Sequence, residues 1–298
     1  MTVLTNSEMA DFDRCKRRWL IRHYWHLRRV GGAEHKDYFD VGNLVHTALE
    51  EYYDPSKGGN PQHSLLVRAR KMIDADPENA ETIAKNAELA SIMTEGYLEW
   101  VTEEGVDADL DVYAAEETLE AELPGGHVLM GKLDARAMQK STGLRVFLEH
   151  KTVASLGDLP ATAQTNRQFK TYFLLEFLNG GERTDAVLLN MLKKVKRTAR
   201  ATPPFYARHS VRYNTDEIRN HWKHVVALSR EMDLVRMRLD DGEDHHDVCP
   251  PNPDQCCGTW NAPFRGVCSM FDDGSDIEGL LAVEYEEYDP MERYKEDE

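Results

Sequence analysis

No uninterrupted apolar run in this sequence of 298 residues approaches the roughly 20 residues that a membrane-spanning helix needs. The opening stretch MTVLTNSEMADFDRCKRRW also lacks the apolar core of a secretory leader. The expectation is a soluble, cytoplasmic chain with no membrane partner. Cysteine is scarce: there are five in the whole sequence, and in a cytosolic chain such a set points away from a disulfide framework and toward a metal. Internal repeats are lacking, and the one compositionally biased segment is acidic, from Phe271 to Glu298.

Positive charge is in deficit too. The formal net charge of −17 at face value disfavours a phosphate-rich partner, because acidic surfaces repel phosphates. Its distribution weakens that argument. Twelve acids against Arg293 and Lys295 give the Phe271–Glu298 segment −10 of the total. By contrast, Ala186 to Thr215 carries Lys193, Lys194, Lys196, Arg197, Arg200, Arg208 and Arg212 and no acid, and Arg14 to Arg29 carries seven basic residues. A body with two basic stretches is compatible with DNA, with the stretches contacting phosphates and the acidic tail acting as a disordered arm that competes for them.

What is present is a change of period. FDRCKRRWLIRHYWHL and VGNLVHTALEEYY have apolar residues at helical spacing, DPSKGGNP is a loop, and a further helical stretch reaches about Glu103. Val112–Leu123, Val128–Ala137 and Leu144–Lys151 then read as strands separated by PGG and KSTG. A helix in LPATAQTNRQFKTYFLLEFLNG, strands in TDAVLLNML and FYARHSVRY, and a helix over Asp216–Leu239 complete a mixed α/β order with a helical entry.

The chemistry concentrates on the third strand. In LRVFLEHKTV, alternation sends Phe147, Glu149 and Lys151 to one face and Val146, Leu148 and His150 to the other. An isolated E-x-K of this kind is ordinarily a surface ion pair. Here Asp134, in GKLDARA on the preceding strand, converges on it if the two strands pair antiparallel. Two carboxylates with the His150 main-chain carbonyl outline a hard-cation site for Mg²⁺ or Mn²⁺. Lys151 would orient or deprotonate a water, or neutralise phosphate oxygens. His46 in GNLVH lies on the second helix, and Gln168 and Tyr172 in QFKTY lie one helical turn apart.

The ordered set G-x-x-x-H (Gly42 to His46), G-x-x-D (Gly131 to Asp134), E-x-K (Glu149 to Lys151) and Q-x-x-x-Y (Gln168 to Tyr172) resembles the PD-(D/E)xK nucleases of the RecB-like branch. The resemblance implies a restriction-endonuclease-like mixed sheet flanked by helices, with an N-terminal helical region and a C-terminal cysteine-rich segment. It implies that Asp134 and Glu149 are metal ligands, Lys151 the catalytic lysine, His46 a further metal or phosphate contact, and Gln168 and Tyr172 positioning groups. An acid from the first strand, Glu116 or Glu117, would join them. The implied activity is hydrolysis of DNA phosphodiesters, from ends as an exonuclease, on single strands or DNA ends. A helicase or recombination partner is a further expectation. A DNA-binding accessory module that is silent without such a partner, and a redox or metal-storage protein, are the rival readings.

Cys15, Cys249, Cys256, Cys257 and Cys268 resemble the cysteine layout of the iron-sulfur members of that branch, CRISPR-associated RecB-like exonucleases and AddB-type nuclease subunits. There one amino-terminal cysteine and three carboxy-terminal ones hold a 4Fe-4S cluster. Carried over, Cys15, Cys249, Cys268 and Cys257, or Cys256 in its place, would be the ligands. The wider spacing leaves a zinc site open, and His245 or His246 could replace a thiolate. The expected organisation is one nuclease domain over residues 1–270, with a helical portion near 42–104, a core near 110–215, a cysteine closure at 249–268, and the tail at 271–298.

Overall fold

Threonine 5 joins the first two elements. Strand β1 (Thr2–Thr5) gives way to α1 (Asn6–Arg14), where the Thr5 hydroxyl accepts the Glu8 N–H at 3.2 Å and satisfies one open donor of the helix. The computed structural model describes residues 2–30, 33–180, 183–256 and 264–294. The helical period of Phe12–Leu27 predicts one continuous helix, and the chain interrupts it. Cys15 is extended (φ −165°, ψ 115°), so α2 (Lys16–Trp19) restarts beyond it and runs into a π-helical turn at Leu20–Tyr24. Strand β2 (Leu27–Arg29) follows, an element that three residues are too few to announce by alternation.

Three long helices come next: α3 (Ala33–Tyr53), α4 (Pro61–Ala75) and α5 (Ala80–Glu104). Asn60 caps α4 by accepting from the N–H groups of Gln62 and His63, with Pro61 at the first helical position, and Gly105 closes α5 in the left-handed region at φ 62°. Strands β3 (Leu110–Leu123), β4 (His127–Gln139) and β5 (Arg145–Val153) occupy the three stretches that alternation marks. The helix expected before the paired glycines is two, α6 (Asp158–Ala163) and α7 (Arg167–Gly180). Then come β6 (Thr184–Lys193), β7 (Tyr206–Val211) and α8 (Thr215–Asp240). The short helices α9 (His245–Val248), α10 (Pro253–Cys256) and α11 (Arg265–Cys268) precede α12 (Ile277–Glu284) and β8 (Tyr285–Glu287).

The strands form a mixed sheet in the order β1-β4-β5-β6-β7, with β3 also on β4. By packing, the chain divides into two compact units, one of Met1–Glu34, Glu120–Met130 and Asn220–Glu298, the other of His35–Leu119 and Gly131–Arg219. In the second unit β4 and β5 are antiparallel, β5 and β6 parallel, and β6 and β7 antiparallel. Because β6 is covered on both faces, its interior from Ala186 to Leu192 is apolar but for Asn190, which is 0% exposed. Val41, Leu44, Ala48 and Leu49 of α3 and Ala90, Met93 and Tyr97 of α5 bury one face with Val146 and Leu148. The other face takes α7, whose Tyr172 and Phe173 rings meet Phe147 edge-on at 5.6 and 5.3 Å.

The first unit is organised differently. There β1 runs parallel to the opening of β4, Thr2 opposite His127 through Thr5 opposite Met130. Strand β2 pairs antiparallel with β8, Leu27 opposite Glu287. Ile21, Phe264, Val267, Phe271, Leu281 and Tyr285 form its separate apolar cluster. The acidic tail, expected to be an unstructured arm, therefore contributes a helix and a strand to this unit, because Leu281 and Tyr285 supply the apolar surface that an arm would lack. No helix among the described residues is long and apolar enough to cross a membrane.

Candidate active site

The antiparallel ladder between β4 and β5 is regular from Met138 opposite Arg145 to Ala135 opposite Leu148. One residue further on, Asp134 accepts the His150 main-chain N–H through its own carboxylate, Oδ2, at 2.6 Å. The two carboxylate residues, Asp134 and Glu149, are thus brought together by the pairing that the spacing predicts.

His46 on α3 reaches the same place. Its Nδ1 lies 3.5 Å from Asp134 Oδ1 and 3.7 Å from Glu116 Oε1. One ligand atom each from His46, Glu116 and Asp134 falls within 4.8 Å of the others. The two open candidates on β3 separate cleanly: Glu116 joins the group, while Glu117 pairs with Arg136 at 2.6 Å. Glu116 holds a left-handed backbone at φ 48°, a conformation that costs a non-glycine residue about 1–3 kcal/mol and is concentrated at functional sites. Lys132, in the G-K-L-D motif but absent from the sequence-based set, is 3.2 Å from Glu116.

Glu149 is 1% exposed, and its Oε1 is paired with the Lys151 ammonium. Burial and then the Asp134 charge push its carboxyl up to about 7, against the opposing pull of Lys151. Asp134 goes the other way: burial would raise it, but the His46 cation, with lesser help from His150 and Lys151, holds it well below the usual carboxylate range. Burial would likewise lower His46, yet Asp134 and Glu116 outweigh it and raise the imidazole to about 10. Neighbouring carboxylates with divergent affinities for a proton are a recurrent property of reactive sites. As a donor set, the clustered carboxylates of Glu116 and Asp134, the buried Glu149 carboxylate and one imidazole fit a hard divalent cation.

The remaining motif residues lie on α7. Gln168 Nε2 donates to the Tyr172 hydroxyl at 2.7 Å, so the Q-x-x-x-Y pair is tied to itself. Tyr172 packs on Phe147, two strand positions before Glu149 on the same face. A Cβ on Gly131 would meet Leu175 at 2.8 Å and Tyr172 at 3.0 Å, which gives the G-x-x-D glycine a packing reason. The His150 ring stacks on Tyr53 with centroids 5.1 Å apart, and burial lowers its affinity for a proton to about 3.

Many of the basic residues in the two stretches are paired with carboxylates. Lys196, Arg197, Arg208 and Arg212 pair with Glu88, Glu99, Asp107 and Asp185. In the amino-terminal stretch Lys16 pairs with Glu231, Arg17 with Asp272, and Arg18 and Arg22 with Asp11. Arg28 and Arg29 pair with Glu286 and Glu284 of the acidic tail.

Cys15, Cys249, Cys256 and Cys268 are all buried free thiols of the first unit. A hydrogen bond with Cys256 brings the Cys15 thiol down to about 5, against its burial, and Asn252 donates its N–H to the same sulfur at 3.4 Å. Burial, with a smaller contribution from Cys15, pushes Cys249 up to about 11. The Cys268 carbonyl accepts from Arg17 at 3.1 Å. Cys257 lies outside the described residues. His246 donates from its ring nitrogens to Asp244 Oδ1 and to the Phe271 carbonyl, both at 2.8 Å, and forms with Asp244 and His245 a second group of possible ligands.

No curated protein matches the chain. Among solved structures, a candidate exonuclease from Eubacterium rectale superposes with TM-score 0.51 at 14% identity, covering 81% of this chain and 82% of that one. The protein SSO0001 aligns with TM-score 0.34 at 15% identity, over 77% and 84% of the two chains. The former likeness supports the fold, a mixed sheet flanked by helices. The sequence profile of the PD-(D/E)XK nuclease superfamily matches residues 3–268, most of the chain. With that match and the motif order intact, the chain belongs to the PD-(D/E)XK nuclease superfamily.

Proposed function

We propose that this protein is a metal-dependent DNA exonuclease whose site is built by His46, Glu116, Asp134, Glu149 and Lys151. The observation that carries the reading is the convergence of His46, Glu116 and Asp134 within 4.8 Å, beside a buried Glu149 paired with Lys151. Mg²⁺ or Mn²⁺ would be held by Asp134 and Glu149, with Glu116 and His46 adjoining and the His150 carbonyl as a further oxygen. Such an ion supplies a Lewis acid that activates water and stabilises the leaving oxygen. Lys151 contributes a fixed positive charge for the phosphate oxygens and orients the attacking water. Gln168 and Tyr172 hold α7 against the strand that bears these groups. Action from DNA ends is favoured by the resemblance to RecB-like nucleases and by the name of the Eubacterium rectale protein.

The cysteines of the first unit suit a structural 4Fe-4S cluster ligated by Cys15, Cys249, Cys256 and Cys268, with zinc as the alternative. Cys256 is preferred to Cys257 because its thiol meets that of Cys15. Anaerobic purification followed by iron, sulfide and zinc analysis of wild type and Cys15→Ala separates the two metals, and a metal-free wild type removes both.

The test of the nuclease reading is cleavage of end-labelled single- and double-stranded DNA with Mg²⁺ or Mn²⁺ by wild type and Lys151→Ala in parallel. Digestion by wild type alone, shortening from the labelled or the opposite end, supports an exonuclease and gives its polarity. Internal fragments make it an endonuclease. Equal digestion by both proteins, or none by either, returns Glu149 and Lys151 to a structural pair and moves a partner-dependent binding module ahead.

A further inference from the structure

Behind the proposed catalytic face, the second unit holds a buried polar chain with no place in the motifs. Arg208 on β7 donates from Nε to Asn190 Oδ1 at 2.6 Å, from Nη1 to the Val106 carbonyl at 2.8 Å, and pairs through Nη2 with Asp107 at 2.6 Å. Asn190 on β6 in turn meets His150 Nδ1 through Nδ2 at 3.2 Å. Tyr53 donates its one hydroxyl proton to Asp107 at 2.8 Å, so Tyr97, 2.8 Å from Tyr53, must donate to it. Asn190 is 0% and His150 2% exposed, and His150 Nε2 is buried without a partner.

The direction of this chain is fixed by chemistry. A guanidinium only donates, so Arg208 determines which end of the Asn190 amide is oxygen. The amide nitrogen must then face His150, whose Nδ1 is left to accept, and the ring proton belongs on Nε2. The ring is clamped in the plane as well, lying against Tyr53 at 20° with Tyr97 edge-on at 78°.

We propose that Arg208 and Asn190 lock the His150 ring, and that this ring is the positioning anchor which keeps Glu149 and Lys151 turned to the opposite face and the His150 N–H on Asp134. The inference rests on the nuclease reading. Strand alternation transmits the lock: with residue 150 pinned inward, residues 149 and 151 have one face left, and the 150 amide holds the Asp134 carboxylate at 2.6 Å. The hydrogen bonds that join Arg208, Asn190 and His150 Nδ1 in an otherwise apolar layer are costly to break, and keeping them favours one strand geometry.

Two measurements test the lock. In two-bond ¹H–¹⁵N correlation spectra of the metal-free wild type, with the His150 ring signals assigned by through-bond correlation to its backbone, a neutral Nε2–H ring is expected, and an Nδ1–H or doubly protonated ring overturns the proposal. Calorimetric titration with Mn²⁺ is expected to give at least fivefold weaker binding in Asn190→Leu, and in His150→Phe, than in wild type. A merely structural role lowers the melting temperature and leaves the Mn²⁺ affinity of the folded protein unchanged. If Asn190→Leu does not fold, His150→Phe, which keeps the stacking ring, carries the test, and the wild-type spectrum stands if neither folds. Wild type that neither binds metal nor cleaves DNA defeats the nuclease reading and this role together. Wild type that binds metal, with variants that bind it equally well, overturns the positioning role alone.

Discussion

The Asp134 carboxylate accepts the main-chain N–H of His150 at 2.6 Å, taking the place in the ladder where a backbone carbonyl would continue the pairing of β4 with β5. One side chain therefore serves both the sheet and the proposed cation site. Asp134→Asn keeps an acceptor for that amide and loses the charge: metal binding is expected to disappear and cleavage to fall about a hundredfold or more. Asp134→Ala loses both functions and should cost a further 1–3 kcal/mol or so of stability, because the buried N–H is left unpaired. Calorimetry and denaturant unfolding of the two variants separate these effects.

The contributions of Glu149 and His46 to the stability of the metal-free protein should fall as pH rises. Glu149 titrates at about 7 in the folded chain against 4.5 ordinarily, so between those values the folded state holds a proton that the unfolded state has released. His46, raised from 6.5 to about 10, contributes stability that is complete below pH 6.5 and is lost through pH 10. Glu149→Gln is expected to flatten the lower window and His46→Gln the upper one, read as urea midpoints across pH.

Metal binding should release protons. Near pH 7 Glu149 is partly protonated and His46 is a cation, and both must shed protons to act as ligands. Titration calorimetry in buffers of different ionisation enthalpy is expected to show release of about one to two protons per Mn²⁺. An observed enthalpy independent of buffer refutes this assignment.

Gly131→Ala should damage the packing of α7 on β4. The added methyl would stand 2.8 Å from Leu175 and 3.0 Å from Tyr172, an overpacking that typically costs about 1–3 kcal/mol. Thermal unfolding measures the loss, and Tyr172→Phe, which keeps the ring, is expected to cost less.

In the first unit, Arg17 is 2% exposed and receives a two-pronged ion pair from Asp272, both contacts 2.8 Å, with the Phe271 ring 5.0 Å away. Asp272→Ala leaves a buried guanidinium short of its counter-charge. Because Asp272 is itself half exposed, water offsets part of the loss, and a destabilisation of about 2 kcal/mol is expected by denaturant unfolding.

The elements around the proposed site are legible in the sequence because each has a period. Alternation in β3, β4 and β5 places Asp134, Glu149 and Lys151, and the ordered motifs point to His46. What the sequence leaves open is set by departures from period. The left-handed φ of 48° at Glu116 decides between two adjacent glutamates, and the extended Cys15 breaks a helix whose apolar spacing runs straight through it. Arg208 reads as one more surface charge in a basic run, although it is buried against Asp107 and Asn190. Asn190 did leave a signal, a lone amide inside VLLNML, where a doubly covered strand has no use for a polar group without a dedicated partner.

The pairing of β2 with β8 also bears on the order in which the chain can fold during synthesis. Leu27 is opposite Glu287, so one half of that ladder leaves the ribosome more than two hundred residues before the other half exists. The second unit draws on no residue beyond Arg219 and has all its strands in hand while the partners of β2 are still unmade. Until Phe264 and the residues after it are made, Ile21 lacks the buried partners of its apolar cluster. The amino-terminal segment is thus the part of the nascent protein that stays adhesive longest, and the part on which a chaperone would act.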